Sequence, residues 1–137
     1  MKVVYEDNHL IIVNKDPGEL SQSDYTKDQS LVEKVKNYLR IKYQKKGNVF
    51  LGLVNRLDRP TSGLLIFSKT SKALTRMNKL FKEKKIKKTY LAITENKPEN
   101  NEGKLVDYLL KNQNKNKSFV ANEAHTKSKK AILNYKL

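Results

Sequence analysis

The alternation of apolar and polar positions at the start of the chain predicts a strand hairpin followed by a loop. Residues 3–5 and 10–13 are apolar runs of strand length on either side of a short polar turn. Asp16-Pro17-Gly18 then combines a carboxylate, a proline and a glycine, which predicts a tight turn. Residues 19–29 are polar and predict a loop.

The spacing of apolar residues changes to a helical period near residue 30. Ser30 and Glu33 form the S-x-x-E pattern of a capping box, in which side chain and backbone of the two residues bond reciprocally. Apolar residues follow at helical spacing, namely Leu31, Val32, Val35, Tyr38, Leu39 and Tyr43. The sequence therefore predicts a helix over residues 30–44, which the polar segment 45–48 ends.

Two short apolar runs and a second helix are predicted in the middle of the chain. Residues 49–54 and 63–68 have the length and composition of buried strands, and the polar segment 55–62 separates them. A helix capped by Thr70 or Ser71 follows. Its apolar face consists of Ala73, Leu74, Met77, Leu80 and Phe81.

The last third of the chain has the alternating pattern of strands. Strands are predicted over residues 89–94, 118–121 and 131–137, a weaker strand or a short turn of helix over 105–110, and a polar loop over 112–117. The whole pattern predicts an α+β fold with a mixed, largely antiparallel sheet and flanking helices, in one domain over residues 1–137. Because the chain ends inside an apolar segment, we expect the fold to continue beyond it.

Charge is the most distinctive feature of the composition. The chain has 29 Lys and Arg against 14 Asp and Glu, a formal net charge of +15. Such a basic domain most often binds a polyanion, and nucleic acid is the usual partner. A bias in codon composition is the alternative explanation, because lysine outnumbers arginine 25 to 4. Charge alone does not distinguish DNA from RNA, or a binding protein from an enzyme.

Other classes of protein are excluded by what the sequence lacks. Without cysteine there is no disulfide framework, thiolate zinc site or cysteine nucleophile. With only His9 and His125, we expect no metal site. No apolar run approaches the ~20 residues of a membrane span, and residues 1–13 lack the apolar core of a signal peptide. We therefore expect a cytoplasmic protein without membrane contact, in which the sequon at Asn116 has no role.

The polar segment between the two central strands carries the candidate chemistry. Asp58 has Arg56 two residues before it and Arg59 directly after it, and the chain has only four arginines. Arginine binds carboxylate and phosphate groups with paired hydrogen bonds, and nearby cations keep a carboxylate ionised. An ionised Asp58 on a basic surface is suited to act as a nucleophile or base on a nucleic acid. A structural ion pair within a turn is the alternative.

Three motifs resemble those of the RluA-type pseudouridine synthases. Residues 56–65, Arg-Leu-Asp-Arg-Pro-Thr-Ser-Gly-Leu-Leu, with Lys69 after them, are similar to the family signature H-R-L-D-x-x-T-S-G, an apolar strand and a lysine. The opening of the chain, including Asn14-Lys15 and Pro17-Gly18, and the segment Lys-Thr-Tyr-Leu-Ala at 88–92 also match family motifs. The three motifs occur in the family's order and span nearly the whole chain.

The resemblance implies an isomerase that converts selected uridines of ribosomal or transfer RNA to pseudouridine, without cofactor or metal. It makes Asp58 the catalytic aspartate, acting as nucleophile or as general base. Because the target base must leave the stack, Arg56 is implied to occupy the vacated space and Tyr90 to stack on the uracil. Arg59 and Thr61 are further candidates for substrate binding. For Tyr90 alone, the alternative is a core tyrosine of a strand.

A basic stretch follows the signature. From residue 69 to residue 88, nine basic residues accompany a single acidic residue, Glu83. We expect these residues to hold RNA phosphates, with Lys69, Lys72, Arg76 and Lys88 as the candidates. A solvated helix face is the alternative for each lysine.

The sequence departs from the family pattern at two places. Asn55 stands where the family has histidine, a residue that is not the catalytic acid. The later family motif, which has a basic partner for the catalytic aspartate and follows the strand that residues 131–137 resemble, is absent from these 137 residues. We therefore expect the N-terminal portion of a catalytic domain, monomeric and with weak or no activity alone. The other functions to weigh are a non-catalytic RNA-binding module and a ribosomal-type basic protein.

Overall fold

The computed structural model describes residues 1–26, 28–113, 115 and 117–137. Their packing forms two compact units, Met1–Thr89 and Tyr90–Leu137. The first unit contains β1 (Lys2–Glu6), β2 (Leu10–Lys15), α1 (Leu31–Lys42), β3 (Gly52–Leu53), β4 (Gly63–Ser68) and α2 (Ser71–Lys82). The second contains β5 (Glu102–Asn112), β6 (Lys117–Ala121) and β7 (Lys129–Lys136). The predicted α+β class is confirmed; in place of one mixed, largely antiparallel sheet, the described residues form two sheets, and all neighbouring strands in them are antiparallel.

The sheet of the first unit has the strand order β1-β2-β4-β3, and neighbouring strands are antiparallel. The register of the central pair places Leu10 opposite Ser68 and Lys15 opposite Gly63. The β1–β2 turn therefore lies at the same end of the sheet as the start of α2. The segment before Gly63, which contains Asp58, lies at the other end.

The core of the first unit forms between α1 and the central strands. Alternate residues of β2, Ile11 and Val13, are fully buried, as are Leu65 and Phe67 of β4. The helix contributes one apolar stripe at helical spacing, Leu31, Val35 and Leu39, to the same cluster. Burying a side chain of this size stabilises the folded state by about 1.5–3 kcal/mol, so this layer fixes the positions of the two strands.

Both helices begin where the sequence predicts. The hydroxyl of Ser30 accepts the Glu33 N–H at 3.4 Å, and the Glu33 carboxylate accepts the Ser30 N–H at 2.8 Å, which completes the capping box. Thr70 caps α2 by accepting the Ala73 N–H at 3.1 Å. The first helix ends at Lys42, two residues before the predicted end, because Gln44 has a φ of +47°, which is incompatible with a continued α-helix.

Two strand predictions fail. Of residues 49–54, only Gly52–Leu53 pair as a strand. Residues 89–94 form no strand among the residues that the structure describes, and the side chains of Leu91 and Ile93 are fully exposed. Alternation of apolar residues indicates a pleated segment, but a strand also needs a neighbour that accepts its backbone hydrogen bonds, which sequence patterning does not show.

The sheet of the second unit has the order β6-β5-β7, again antiparallel. It contains the segments predicted over 105–110, 118–121 and 131–137. Leu105 pairs with Leu133 on one face and Val106 with Ile132 on the other, and all four side chains are exposed. The sheet thus presents apolar side chains on both faces. In the predicted loop over 112–117, residues 114 and 116 (the sequon asparagine) lie outside the described residues.

Among the described helices, none combines the length and the apolar character that crossing a bilayer requires.

Candidate active site

The Asp58 side chain projects from the loop between β3 and β4. Leu57 anchors this loop, since its side chain packs against the core and its backbone bonds to Ser21. The Ser21 hydroxyl donates to the Leu57 carbonyl at 2.6 Å and accepts the Leu57 N–H at 3.3 Å. Because Leu57 faces inward, its neighbours Arg56 and Asp58 are both exposed. The loop thus presents a carboxylate and a guanidinium to solvent, two residues apart in the sequence.

Lys15 lies beneath the loop and is fully buried. Its ammonium donates to the carbonyls of Thr61 at 2.6 Å, Arg59 at 2.9 Å and Asp16 at 3.2 Å. Burial lowers the pKa of Lys15, and the nearby carboxylates of Glu19, Asp16 and Asp58 oppose that shift. The loop is therefore bonded to the end of β2 by a buried cation, and Asp58 lies in the field of that cation.

Lys15 belongs to a motif of the sequence, but the sequence alone does not predict its role. The alternation of β2 contains the signal for its burial, because Ile11, Val13 and Lys15 are spaced two residues apart and share one face of the strand. A lysine that continues a buried apolar stripe needs acceptors for its ammonium, and here the loop carbonyls supply them.

Arg59 connects the Asp58 loop to the segment after β2. The backbones of Arg59 and Gly18 bond at 2.8 Å, the Arg59 side chain donates to the Gly18 carbonyl at 3.0 Å, and its guanidinium pairs with Asp28 at 2.8 Å. Neither Arg56 nor Arg59 forms an ion pair with Asp58 among the described residues. Arg59 is instead paired with Asp28, and Asp58 is one of the carboxylates whose charge opposes the lowering of the Lys15 pKa.

The rest of the loop is fixed by backbone bonds. Thr61 closes a turn by donating its N–H to the Asp58 carbonyl at 3.0 Å. Gly63 has a φ of +135°, a conformation that side-chain-bearing residues rarely adopt. Asn55, where the family has histidine, donates to the Leu64 carbonyl at 3.1 Å and accepts the Ile66 N–H at 2.9 Å. These contacts set how the loop enters and leaves β4.

Lys69 belongs to a polar cluster around Glu6, at the other end of the sheet. The Glu6 carboxylate, with its side chain 8% exposed, accepts bonds from Lys42 at 2.7 Å, Tyr43 at 2.7 Å, Lys69 at 3.0 Å and Tyr38 at 3.1 Å. Burial alone would raise the pKa of Glu6, but the four donors outweigh it and lower the pKa to about 2. The Lys69 ammonium also donates to the Asp7 carbonyl at 2.7 Å. It is thus already bonded within the protein.

The remaining candidates are exposed and occupy different elements. Lys72 and Arg76 lie one turn apart on α2, and neither forms an ion pair among the described residues. Lys88 follows α2 in an irregular segment. Tyr90 begins the second unit, with its side chain 59% exposed. The structure unites Asp58, Arg56, Arg59 and Thr61 in one loop, whereas the pairing of Tyr90 with Asp58 on one nucleotide stays a prediction.

No group of three or more His, Asp or Glu residues within the described part of the chain is arranged to hold a metal ion.

The sequence of this chain is similar to those of known pseudouridine synthases. Ribosomal large subunit pseudouridine synthase C of Buchnera aphidicola (subsp. Acyrthosiphon pisum) is 35% identical over 116 residues, which are 85% of this chain and 35% of that protein. The protein of the same name in Rickettsia prowazekii is 36% identical over 135 residues, 98% of this chain and 42% of that protein. The chain therefore spans less than half the length of these curated relatives.

Solved structures show the same fold. Human RNA pseudouridylate synthase domain containing 4 superposes with a TM-score of 0.77 at 17% identity, over 96% of this chain and 51% of the human one. The profile of the family described as RNA pseudouridylate synthase matches residues 9–137. This chain accordingly belongs to the RNA pseudouridylate synthase family, as its resemblance to the RluA-type enzymes predicts.

Proposed function

We propose that the chain forms the Asp58-bearing part of an enzyme that isomerises a uridine of ribosomal or transfer RNA to pseudouridine. The observation that carries the proposal is the Asp58 loop itself. In a member of this family, an exposed carboxylate projects from a loop fixed to β2, to the segment after β2 and to β4. The relatives named as large-subunit synthases favour ribosomal RNA as the substrate.

The reaction assigns a task to each exposed group. The bond from C1′ of the ribose to N1 of uracil breaks, the base turns, and a bond forms from C1′ to C5; C5 then loses its hydrogen as a proton and N1 takes up a proton, so that the product is an isomer of the substrate. Asp58 serves as the nucleophile or base against the extruded nucleotide, which requires a carboxylate held in place and open to RNA. Arg56, exposed two residues away, fills the space that the base leaves, and Tyr90 supplies a stacking face.

Other candidates support the site without touching the reacting atoms. Arg59 and Thr61 hold the loop, since their bonds are to Gly18, Asp28, Lys15 and the loop itself. Lys69 holds the Glu6 cluster. Lys72, Arg76 and Lys88 are left as the exposed cations for RNA phosphates. A monomeric state and a cytoplasmic location stay predictions.

The test is release of tritium from RNA labelled at C5 of uracil, under single-turnover conditions with excess protein. We expect slow release with the 137-residue chain and none with Asp58→Asn, while the affinity for RNA changes little. Asp107→Asn is the matched control, because Asp107 is an exposed aspartate of β5 outside the Asp58 loop. Equal release from all three proteins would refute the catalytic role of Asp58.

A non-catalytic RNA-binding module is the second candidate. It is favoured by one observation, namely a net charge of +15 with exposed cations such as Lys72, Arg76 and Lys88, which can bind RNA phosphates without chemistry at Asp58. In that case RNA affinity persists and no release depends on Asp58, so the same assay separates the two functions.

A further inference from the structure

A cavity of about 350 Å³ lies between the β1–β2 turn and the first turns of α2. Its floor is apolar and is formed by Leu10, Ala73 and Met77. Its rim is polar and is formed by His9, Thr70, Lys72 and Arg76, all of them exposed, of which Lys72 and Arg76 carry positive charge. A cavity of this size holds a small planar group, and the rim favours an anionic ligand.

The cavity is distinct from the Asp58 loop. It lies at the Leu10–Ser68 end of the β2–β4 pair, whereas the loop lies at the Lys15–Gly63 end. With a rise of about 3.3 Å per residue, the length of β4 separates the two by roughly 17 Å. The proposed chemistry at Asp58 therefore does not use this cavity.

The walls of the cavity are connected before any ligand arrives. The Lys69 N–H donates to the His9 carbonyl at 2.7 Å, and the Lys69 ammonium donates to the Asp7 carbonyl at 2.7 Å. These bonds join the β1–β2 turn directly to the residues that precede α2. A cavity bounded by connected elements does not have to be formed by the ligand, which lowers the entropic cost of binding.

The charges of the cavity are available for an anion. Neither Lys72 nor Arg76 forms an ion pair among the described residues, and no described carboxylate lines the cavity. The nearby carboxylate of Asp7 is already occupied by the N–H groups of His9 at 2.7 Å and Leu10 at 2.6 Å and by the hydroxyl of Tyr5 at 2.8 Å. In addition, the first turn of α2 has no acidic residue, so the positive end of its dipole is not offset.

We propose that this cavity is a second RNA subsite, which takes one unpaired nucleotide of the substrate strand. The base lies on the floor of Leu10, Ala73 and Met77, and Lys72 and Arg76, one helical turn apart, contact the adjoining phosphates. This inference rests on RNA being the substrate. At a rise of about 3.4 Å per stacked nucleotide, the subsite holds a nucleotide roughly five positions from the target uridine.

The first test measures binding of 5′-fluorescein-labelled oligouridylate of 15 nucleotides by anisotropy, with the 137-residue chain. We expect the double variant Lys72→Glu/Arg76→Glu to weaken binding at least tenfold. We also expect it to reduce the slope of log K against log salt concentration by about 1.4, the value for two lost phosphate contacts on a single strand. The control is Lys45→Glu/Lys46→Glu, which makes the same charge change at two exposed residues after α1 and should weaken binding less than threefold. An equal loss of RNA affinity in the two double variants would overturn the proposed subsite.

A second measurement locates the base without relying on a variant. The same RNA carrying 4-thiouridine is irradiated with the unaltered chain, and cross-linked peptides are identified by mass spectrometry. We expect cross-links on the peptides that contain His9–Leu10 and Ala73–Met77. Cross-links that form elsewhere and not on these peptides would overturn the subsite and leave the cavity to a different partner, such as an acidic peptide.

The two proposals fail separately. In one case Lys72→Glu/Arg76→Glu loses RNA binding, and tritium release is equal in the unaltered chain and in Asp58→Asn. That result would support the subsite and refute the catalytic role of Asp58. In the other case tritium release depends on Asp58 but is the same in Lys72→Glu/Arg76→Glu at subsaturating RNA. That result would refute the subsite and support the catalytic role of Asp58.

Discussion

The position of the Asp58 carboxylate depends on a residue outside its own loop. Lys15 donates to the carbonyls of Arg59 and Thr61, on either side of Pro60. Replacement of Lys15 by methionine keeps the aliphatic stem but removes both bonds; the Arg59 carbonyl still accepts the Gly18 N–H at 2.8 Å, whereas the Thr61 carbonyl loses its bond to the ammonium. An unsatisfied buried acceptor costs about 1–3 kcal/mol, so we expect Lys15→Met to lower the free energy of unfolding by about 1–3 kcal/mol through the Thr61 carbonyl.

Urea denaturation followed by circular dichroism measures this change. Lys45→Met is the control, since Lys45 is exposed and its side chain has no hydrogen bond in the described structure, and we expect it to alter stability by less than about 0.5 kcal/mol. If the two variants were equally stable, the loop would not depend on the buried ammonium.

Glu6 makes the stability of the first unit dependent on acid. Its pKa is about 2 in the folded protein, against an ordinary value of 4.5. Because the folded-state pKa is the lower one, the contribution of Glu6 is complete above pH 4.5 and is lost as the pH falls toward 2. The pKa difference corresponds to roughly 3 kcal/mol of stability.

Unfolding experiments between pH 6 and pH 2 test the role of Glu6. We expect the unaltered chain to lose stability steeply below about pH 4.5, and Glu6→Gln to start less stable and to decline less over the same range. Parallel declines in the two proteins would show that other carboxylates, not Glu6, cause the acid sensitivity.

The roles of some individual residues can be predicted from the sequence, and those of others cannot. Asp58 lies in a polar segment between apolar runs, and Gly63 is the first residue of a predicted strand, so an exposed carboxylate and a special backbone conformation could be predicted. The role of Arg59 could not, because its partner Asp28 is 31 residues away in the chain. The pairing of Lys69 with Glu6 is hidden for the same reason, since 63 residues separate the two.

Among the elements, α1 contributes the buried apolar stripe of the core, and its N-terminus depends on a buried cap. Ser30 is fully buried, and its hydroxyl accepts the Glu33 N–H. We expect Ser30→Ala to lower the thermal midpoint in circular dichroism, with a loss of about 1–2 kcal/mol. Ser71→Ala is the control, because Ser71 is an exposed residue of the first turn of α2 and Thr70 provides that cap. Equal midpoints in the two variants would contradict the capping role.

The helices could be predicted from the sequence because their signals are local. A cap, an apolar stripe and a break in the period define α1 and α2 within about 15 residues each. Strands depend on partners that the local pattern does not contain. Residues 63–68 become β4 because β2 and β3 lie on either side, whereas residues 89–94 have a similar composition and no strand beside them among the described residues.

The molecule as a whole contains two units that differ in how well they bury their sheets. In the first, α1 covers β2 and β4, whose inward residues are fully buried. In the second, apolar residues of β5 and β7 are exposed on both faces. We expect amide hydrogens of β2 and β4 to exchange at least tenfold more slowly than those of β5 and β7, measured by mass spectrometry of peptides. Similar protection in both sheets would contradict this difference.

The burial of Lys15 has a consequence for chemical labelling. An amine reacts with acylating reagents only when it is accessible and deprotonated. Lys15 is enclosed by the loop whose carbonyls it contacts, whereas most described lysines are open to solvent. Acylation of Lys15 therefore requires the loop to detach first, and the rate of acylation measures how often the loop opens. RNA bound at Asp58, as proposed above, would hold the loop closed and lower the acylation rate of Lys15. Lys15 would then report RNA binding at the loop without an added label.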